Sequence, residues 1–452
     1  MADTPTIKRG FNRKHLIVMA LGNIIGSGIF LASGTAISLA GPAAVLAYVI
    51  GGMIMVMEVM FIAEMSIINP APGSFRVHAT EIFGPGLGFV NGWMFWCSGV
   101  LGMAGEVTAA AIYISFWLPG VPSWVFCLLF AIIMTVINFL DVRGLSRFEA
   151  WLASVKIITL AAFVLFGILA VLRIIPVELQ GKAAGFSSAG AFMPNGIKGI
   201  MASMLMVLFS FTGTGIIGLT IADANDPEKE VPPAINAICL AVISLYVLTI
   251  LLVVLLVPWN TLSSDQSPFV TILNNLRIPF GATIITFIVL TASLSGLNSA
   301  MYSASRMLFS LSRDKQAPGI FMKTNKNGVP VYAVGVGSTV LILTAVVSYL
   351  LPQNLFIILT GASGFLAMFN WLTISVTHYF YRKKVLREKP EKLKYKVPAY
   401  PFITILAIVL IAGIIATSYL YPGQIASLIT GIGIIAILIP TYWLFRKVTA
   451  LK

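Results

Sequence analysis

Long uncharged apolar runs alternate along the chain with short polar segments, and none shows the two-residue alternation of a half-buried strand. The runs fall at roughly 16–40, 42–67, 87–118, 123–140, 150–175, 199–222, 234–258, 281–305, 331–351, 354–380, 400–421 and 425–445. Each is near or above the ~17–25 residues that carry a helix across a bilayer. The pattern predicts twelve transmembrane helices and an all-α integral membrane protein. One feature resists it. Residues 21–34 read LGNIIGSGIFLASG, and glycine in a helix interior costs roughly 1 kcal/mol relative to alanine. Gly22, Gly26, Ser27, Gly28 and Gly34 therefore weaken the first predicted helix at its middle.

Close helix packing is one reading, since Gly22 and Gly26 form a GxxxG pair of the kind that lets two helices approach. The sixth run favours another. Its Phe211-Thr212-Gly213-Thr214-Gly215-Ile216-Ile217 echoes Ile24-Ile25-Gly26-Ser27-Gly28-Ile29-Phe30, so a small-hydroxyl-small triplet recurs five runs later. Five is odd, so the second set of five runs lies upside-down relative to the first, the pattern of inverted-repeat secondary transporters. The chain then divides into a first repeat (1–175), a second (199–380) and two further helices (400–445) in one transport domain. Breaks at the two triplets expose backbone N–H and C=O groups, tolerated in mid-membrane only beside a cavity or ligand. N–H groups at the start of a half-helix suit a carboxylate, and C=O groups at the end of the other suit an ammonium. An α-amino acid carries both.

Two ionisable residues sit deep in apolar runs. Glu106 lies in the third and Lys156 in the fifth. On insertion scales such a residue costs ~2.5–3.5 kcal/mol, so it faces the protein interior and marks function by default. A desolvated lysine loses its proton readily, which makes Lys156 the candidate proton carrier, against the plainer reading of a stem that snorkels to the interface. Glu106 is its partner or a substrate contact. Ser295, Asn298, Phe211 and Gly215 are weaker candidates for a side-chain pocket or gate. Glu64, near a run end, reads as structural. Glu58 has no role in this scheme.

Composition agrees with the pattern. Of 452 residues, 58% are hydrophobic and only 10% charged, against roughly 25% charged in soluble domains, and the mean hydropathy is +0.96. The net charge of +13 suggests nucleic acid until its distribution is considered. With a cytoplasmic N-terminus, about 24 of the 29 Lys and Arg fall in inner segments, eight of them between Arg382 and Lys396, as the positive-inside rule requires. Both termini are then cytoplasmic and nucleic acid is not a partner. Cys97, Cys127 and Cys239 have no disulfide or metal spacing, and His15, His78 and His378 form no ligand pair. No phosphate-binding GxxxxGK[ST], HExxH or GxSxG occurs, which argues against ATP-driven transport and against an enzyme. No metal or cofactor is expected, the proton being the coupling ion.

Particular stretches also resemble a known family. GNIIGSGIFLASGTAISLAGPAAVLAY (22–48), PAPGSF (70–75), GPGLGFVNGW (84–93), GEVTAAAIYI (105–114), FEAWLASVKI (148–157), FSFTGTGIIG (209–218), DPEKEVPPAI (226–235) and SGLNSAMYSASRMLFSLSRDKQAP (295–318) are similar to amino acid permeases of the amino acid–polyamine–organocation superfamily. Within it they resemble the bacterial branch that holds lysine, GABA and aromatic amino acid permeases. The resemblance covers nearly the whole chain. It implies ten core helices in two inverted repeats, broken in the first and sixth, plus two C-terminal helices, in a bacterial plasma membrane. It implies that backbone at Ile24, Gly26, Ser27 and Gly28, with Phe209, Ser210, Thr212 and Gly213, surrounds the α-amino and α-carboxylate groups. It makes Lys156 the lysine of proton-coupled relatives and Glu106 a glutamate near the site. Many members of the branch carry Gly-Thr-Glu where this chain has Gly213-Thr214-Gly215, which points to a neutral substrate. The expected function is proton-coupled import of a neutral L-amino acid. An amino acid exchanger or a non-transporting amino acid receptor on the same fold are the alternatives.

Overall fold

A computed structural model of the chain describes residues 12–71, 73–140, 142–175, 186–221, 224–262, 267–275, 280–351 and 355–450. Lys8, Arg9, Lys182, Arg277 and Lys452, which enter the charge count above, lie outside the described residues. The described residues form helices joined by short turns, with one isolated bridge between Thr324 and Pro330. The helices are α1 (Arg13–Ile24), α2 (Ser33–Ala40), α3 (Ala44–Ile68), α4 (Phe75–Phe83), α5 (Pro85–Ile114), α6 (Ser123–Leu140), α7 (Val142–Val171), α8 (Ala189–Phe192), α9 (Gly196–Phe209), α10 (Gly215–Ile221), α11 (Pro227–Leu256), α12 (Pro268–Asn275), α13 (Gly281–Arg313), α14 (Val331–Leu350), α15 (Leu355–Glu388), α16 (Phe402–Thr417) and α17 (Pro422–Ala450).

Among the described residues, ten helical runs are long and apolar enough to cross a membrane, and Ser123–Phe139 is a shorter apolar helix. The first run, Leu16–Ile68, spans 53 residues and holds two of the predicted segments. They part at Gly41, whose φ of 65° lies where only glycine is unstrained, and Pro42 follows it in a short 3₁₀ turn. The interruption predicted inside the first segment is present. α1 stops at Ile24, residues 25 and 26 bend, and a five-residue π-turn, Gly28–Ala32, leads into α2. The sixth segment stops at Phe209 and resumes at Gly215 through a 3₁₀ turn, Thr212–Thr214.

Boundaries differ from the sequence reading where an apolar run ends before its helix does. α13 and α15 each continue eight residues past the predicted limit, through RMLFSLSR and YRKKVLRE. These extensions hold strong helix formers and no Gly or Pro, so the helix persists after hydrophobicity falls. α5 packs along α13 and α15, and α7 against α1 and α13. α16 and α17 are among the least buried helices. The centre of the protein is therefore built from the two interrupted segments with α3, α5, α7, α11, α13 and α15 around them.

Candidate functional site

The two interruptions touch at the backbone. A Cβ on Gly28 would lie 2.5 Å from Ser210 Cα, and one on Gly213 would run into the backbone of Asn23. Asn23 Nδ2 donates to Gly213 O at 2.7 Å. Tyr246 Oη of α11 donates to Ile24 O at 3.0 Å and lies 3.3 Å from Ser210 O, and Tyr48 Oη shares a hydrogen bond with Ser210 Oγ at 3.1 Å. Carbonyls freed by both breaks thus meet one phenol. The sequence reading left them for a substrate ammonium; in this conformation Tyr246 takes them, a residue the reading did not single out.

The two buried ionisable residues flank the first break from opposite ends. Glu106 accepts the Ser27 N–H on both carboxyl oxygens, at 3.0 and 3.1 Å. That N–H opens the second half-helix, where the dipole favours negative charge. Glycine makes room for the carboxyl on two sides, since a Cβ at Gly26 would overlap Oε1 and one at Gly296 would lie 2.9 Å from it. Lys156, fully buried, donates from Nζ to Gly22 O at 2.5 Å and to Ser295 Oγ at 2.8 Å. Gly22 O belongs to the last turn of α1, the negative end of its dipole. The Ser27 N–H assigned to a substrate carboxylate is therefore held here by the protein's own Glu106.

A cavity of about 80 Å³ opens beside these groups. α5 lines it with Phe95, Ser98, Gly102 and Glu106, the sixth segment with Phe209, Thr212, Gly213 and Gly215, α13 with Gly296 and Ser303, α15 with Ser363, Asn370 and Trp371, and α1 with Asn23. The α5 residues other than Glu106 precede it in the chain, and Phe95 packs on Phe75 of α4 at 5.2 Å. The cavity so extends from the breaks toward the end of the bundle that carries α4.

Of the sequence candidates, Glu106, Phe209, Thr212, Gly213 and Gly215 line the cavity, while Ile24, Gly26, Ser27, Gly28, Ser210 and Lys156 stand behind its wall. Three of the four pocket and gate candidates lie outside the cavity lining in this conformation. Phe211 is fully buried against Tyr246 and Tyr48, with ring centroids at 5.1 and 6.0 Å. Ser295 is an acceptor for Lys156. Asn298 accepts from Asn138 at 2.8 Å and so joins α13 to α6. What the sequence reading missed is α15. Its signal was Gly361-Ala362-Ser363-Gly364, a third cluster of small and hydroxyl residues inside an apolar run. Ser363 and Ser98 exchange hydroxyl-to-carbonyl hydrogen bonds, both at 2.9 Å, which fixes α15 against α5 at the cavity wall. Among the described residues no three His, Cys, Asp or Glu side chains gather as metal ligands would.

The site is thus a pair of interrupted segments crossing at bare backbone, a carboxylate and an ammonium at matched half-helix ends, and a small cavity alongside. Known proteins give this geometry a family. Residues 15–452 match the amino acid permease family. The chain is 35% identical to the gamma-aminobutyric acid permease of Bacillus subtilis over 98% of its own length and 94% of that protein's. It is 33% identical to the amino-acid permease RocC of the same organism over 98% and 95%. With the aromatic amino acid transport protein AroP of Salmonella typhimurium it shares 34% identity over 93% and 92%. The chain belongs to the amino acid permease family, whose members move amino acids across membranes and are not enzymes.

Proposed function

We propose that this permease imports a neutral L-amino acid together with a proton, through a twelve-helix core of two inverted five-helix repeats plus two C-terminal helices, with both termini in the cytoplasm. The observation that carries this reading is the placement of Lys156 and Glu106 on the two backbone ends of the first break. A protonated Lys156 holds the Gly22 carbonyl and steadies the end of α1; a neutral amine keeps fewer donors for that contact and frees α1 to move. Glu106 holds the Ser27 N–H until a substrate carboxylate displaces it. The amino acid then bridges the two breaks, and its side chain projects toward Phe95, Ser98 and α15. Among the described residues, Glu106 is the one charged side chain lining the cavity, and the α-amino group of any amino acid competes for it. Nothing remains there to neutralise a lysine or arginine side chain, which supports a neutral substrate. The relatives named for gamma-aminobutyrate and aromatic amino acids fit that class.

The test is uptake of each of the twenty amino acids into proteoliposomes, with and without an inward proton gradient. Accumulation of one or a few neutral amino acids, dependent on the gradient, is the expected outcome. Counterflow without net uptake under the same gradient makes the protein an exchanger and overturns the coupling. Binding without any flux makes it a receptor.

A further inference from the structure

Glu58 has no part in the site above, yet it is as deeply buried as Lys156. It lies near the middle of α3 with no exposed surface. Ser375 Oγ of α15 donates to its Oε1, and its Oε2 meets no hydrogen-bond partner among the described residues. The neighbouring elements hold few charges. α2, α10 and α16 carry no titratable side chain, and α9 carries only Lys198, in its first turn. α11 brings Cys239 and Tyr246, with Glu228, Lys229 and Glu230 at its start, and α4 brings Arg76, His78 and Glu81. None of the cations makes an ion pair with Glu58 among the described residues. A bare carboxylate with neither cation nor full hydrogen bonding is the costliest form such a site can hold.

The interface that holds Glu58 continues as a line of titratable groups. One turn along α3, Phe61 stacks on His378 of α15 at 4.4 Å between centroids. One turn further, Glu64 meets His378 Nε2 at 3.2 Å and Arg382 at 3.0 Å, and it accepts the Val397 N–H at 2.5 Å. His378 Nδ1 faces Thr404 Oγ1 at 3.1 Å, and Tyr395 of the basic loop is partly buried nearby. Positions 58, 61 and 64 of α3 face 375, 378 and 382 of α15 at helical spacing. The file starts at Glu58 and ends at Lys396 and Pro398, both exposed. At its inner end it also borders the cavity, because Ile374, which adjoins Ser375, and Trp371 both line it.

We propose that Glu58 is a second proton-carrying residue, loaded along the Glu64–His378 file and coupled through Ser375 to the cavity wall. A proton arriving on Oε2 turns the carboxylate into a neutral carboxylic acid and leaves Ser375 donating to the other oxygen; its departure restores a negative charge against α15. The inference rests on the transport reading only for its purpose, and its test is independent of any substrate. The full chain in lipid is titrated while the infrared carbonyl stretch of protonated carboxyls is recorded, for the native protein, Glu58→Gln and Glu106→Gln. One pH-dependent carboxylic acid band should be lost in Glu58→Gln and kept in Glu106→Gln. A Glu58→Gln spectrum that loses no pH-dependent carboxylic acid band overturns the proposal, as does a Glu58 contribution that is constant across pH. If Glu58→Gln does not fold, Ser375→Ala keeps the acid and removes its hydrogen bond; the midpoint of the band should shift, and an unchanged midpoint also overturns the proposal. The transport reading fails separately, in the uptake screen.

Discussion

At Gly28 the missing side chain decides how near two backbones come. Its Cβ would stand 2.5 Å from Ser210 Cα, whereas a Cβ on Gly102 would meet Ser363 Oγ at an ordinary 3.4 Å and one on Gly335 would meet nothing within 4 Å. Gly28→Ala must push the two breaks apart. Overpacking of this kind costs roughly 1–3 kcal/mol, so a lowered unfolding temperature in detergent is expected, with Gly102→Ala and Gly335→Ala close to the parent. Equal temperatures for all three would remove close approach as the reason for the glycine. Lys156 calls for a functional measurement. Lys156→Gln keeps an N–H donor on a stem one atom shorter and carries no titrating amine, so gradient-driven accumulation should collapse while counterflow persists; full accumulation would end the coupling assignment. Both positions were legible in the sequence, one as glycine where helix was expected and the other as charge where lipid was expected. Their partners were not. Tyr246 reaches Ile24 O across 222 residues of chain, and a tyrosine in an apolar run looks the same whether it packs or caps a broken helix. The buried placement of Phe211 was not legible for the same reason, since its type says nothing about the face it occupies.

At the scale of elements, α4 is held to the bundle by groups that acid should loosen. Arg76 is buried, donates to Gln316 Oε1 at 2.8 Å and Ser310 Oγ at 3.0 Å, and pairs with Asp314 just past α13. Burial pushes the Asp314 carboxyl up, but the hydrogen bond and charge of Arg76 outweigh it and leave the group below its ordinary 3.8. Stability from this contact is present above that value and lost as pH falls through the lowered one. His78, two residues on, is buried with neither ring nitrogen hydrogen-bonded among the described residues, and burial holds it down at about 4 from 6.5. The unfolded chain binds that proton first, so stability falls between pH 6.5 and about 4, by on the order of 3 kcal/mol at most. Hydrogen exchange of the α4 amides, corrected for intrinsic rates, should therefore speed up as pH drops through that window. His78→Leu should flatten the response there and leave the steeper loss near the Asp314 value. An α4 as protected at pH 4.5 as at pH 7 would contradict the His78 assignment, and one that loses no further protection below pH 3.8 would contradict the Asp314 assignment. Sequence pattern could not supply this element. α4 is short and mixed in polarity, and its docking depends on Asp314 and Gln316, more than 230 residues away.

For the whole molecule the testable quantity is orientation. Lys383 in the last turns of α15 and Lys389, Lys392, Lys394 and Lys396 after it are all exposed, and Glu64 fixes the segment that carries them by binding both Arg382 and the Val397 N–H. Basic residues that flank crossing helices stay on the cytoplasmic side, and cations on the opposite side are few, with Lys198 exposed at the start of α9. If twelve helices cross, the loop after the tenth lies on the side of both termini, and the segment before the sixth lies on the other. The cavity, which extends toward the α4 end, then faces the cytoplasm, the state from which an importer releases its cargo. In a chain with Cys97, Cys127 and Cys239 replaced, Lys389→Cys should react with a membrane-impermeant thiol reagent only in inside-out vesicles, and Lys198→Cys only in right-side-out vesicles. Labelling of both positions from the same side would require an even number of crossings between Lys198 and the loop after α15, and the inverted arrangement of the two five-helix sets would fall with it.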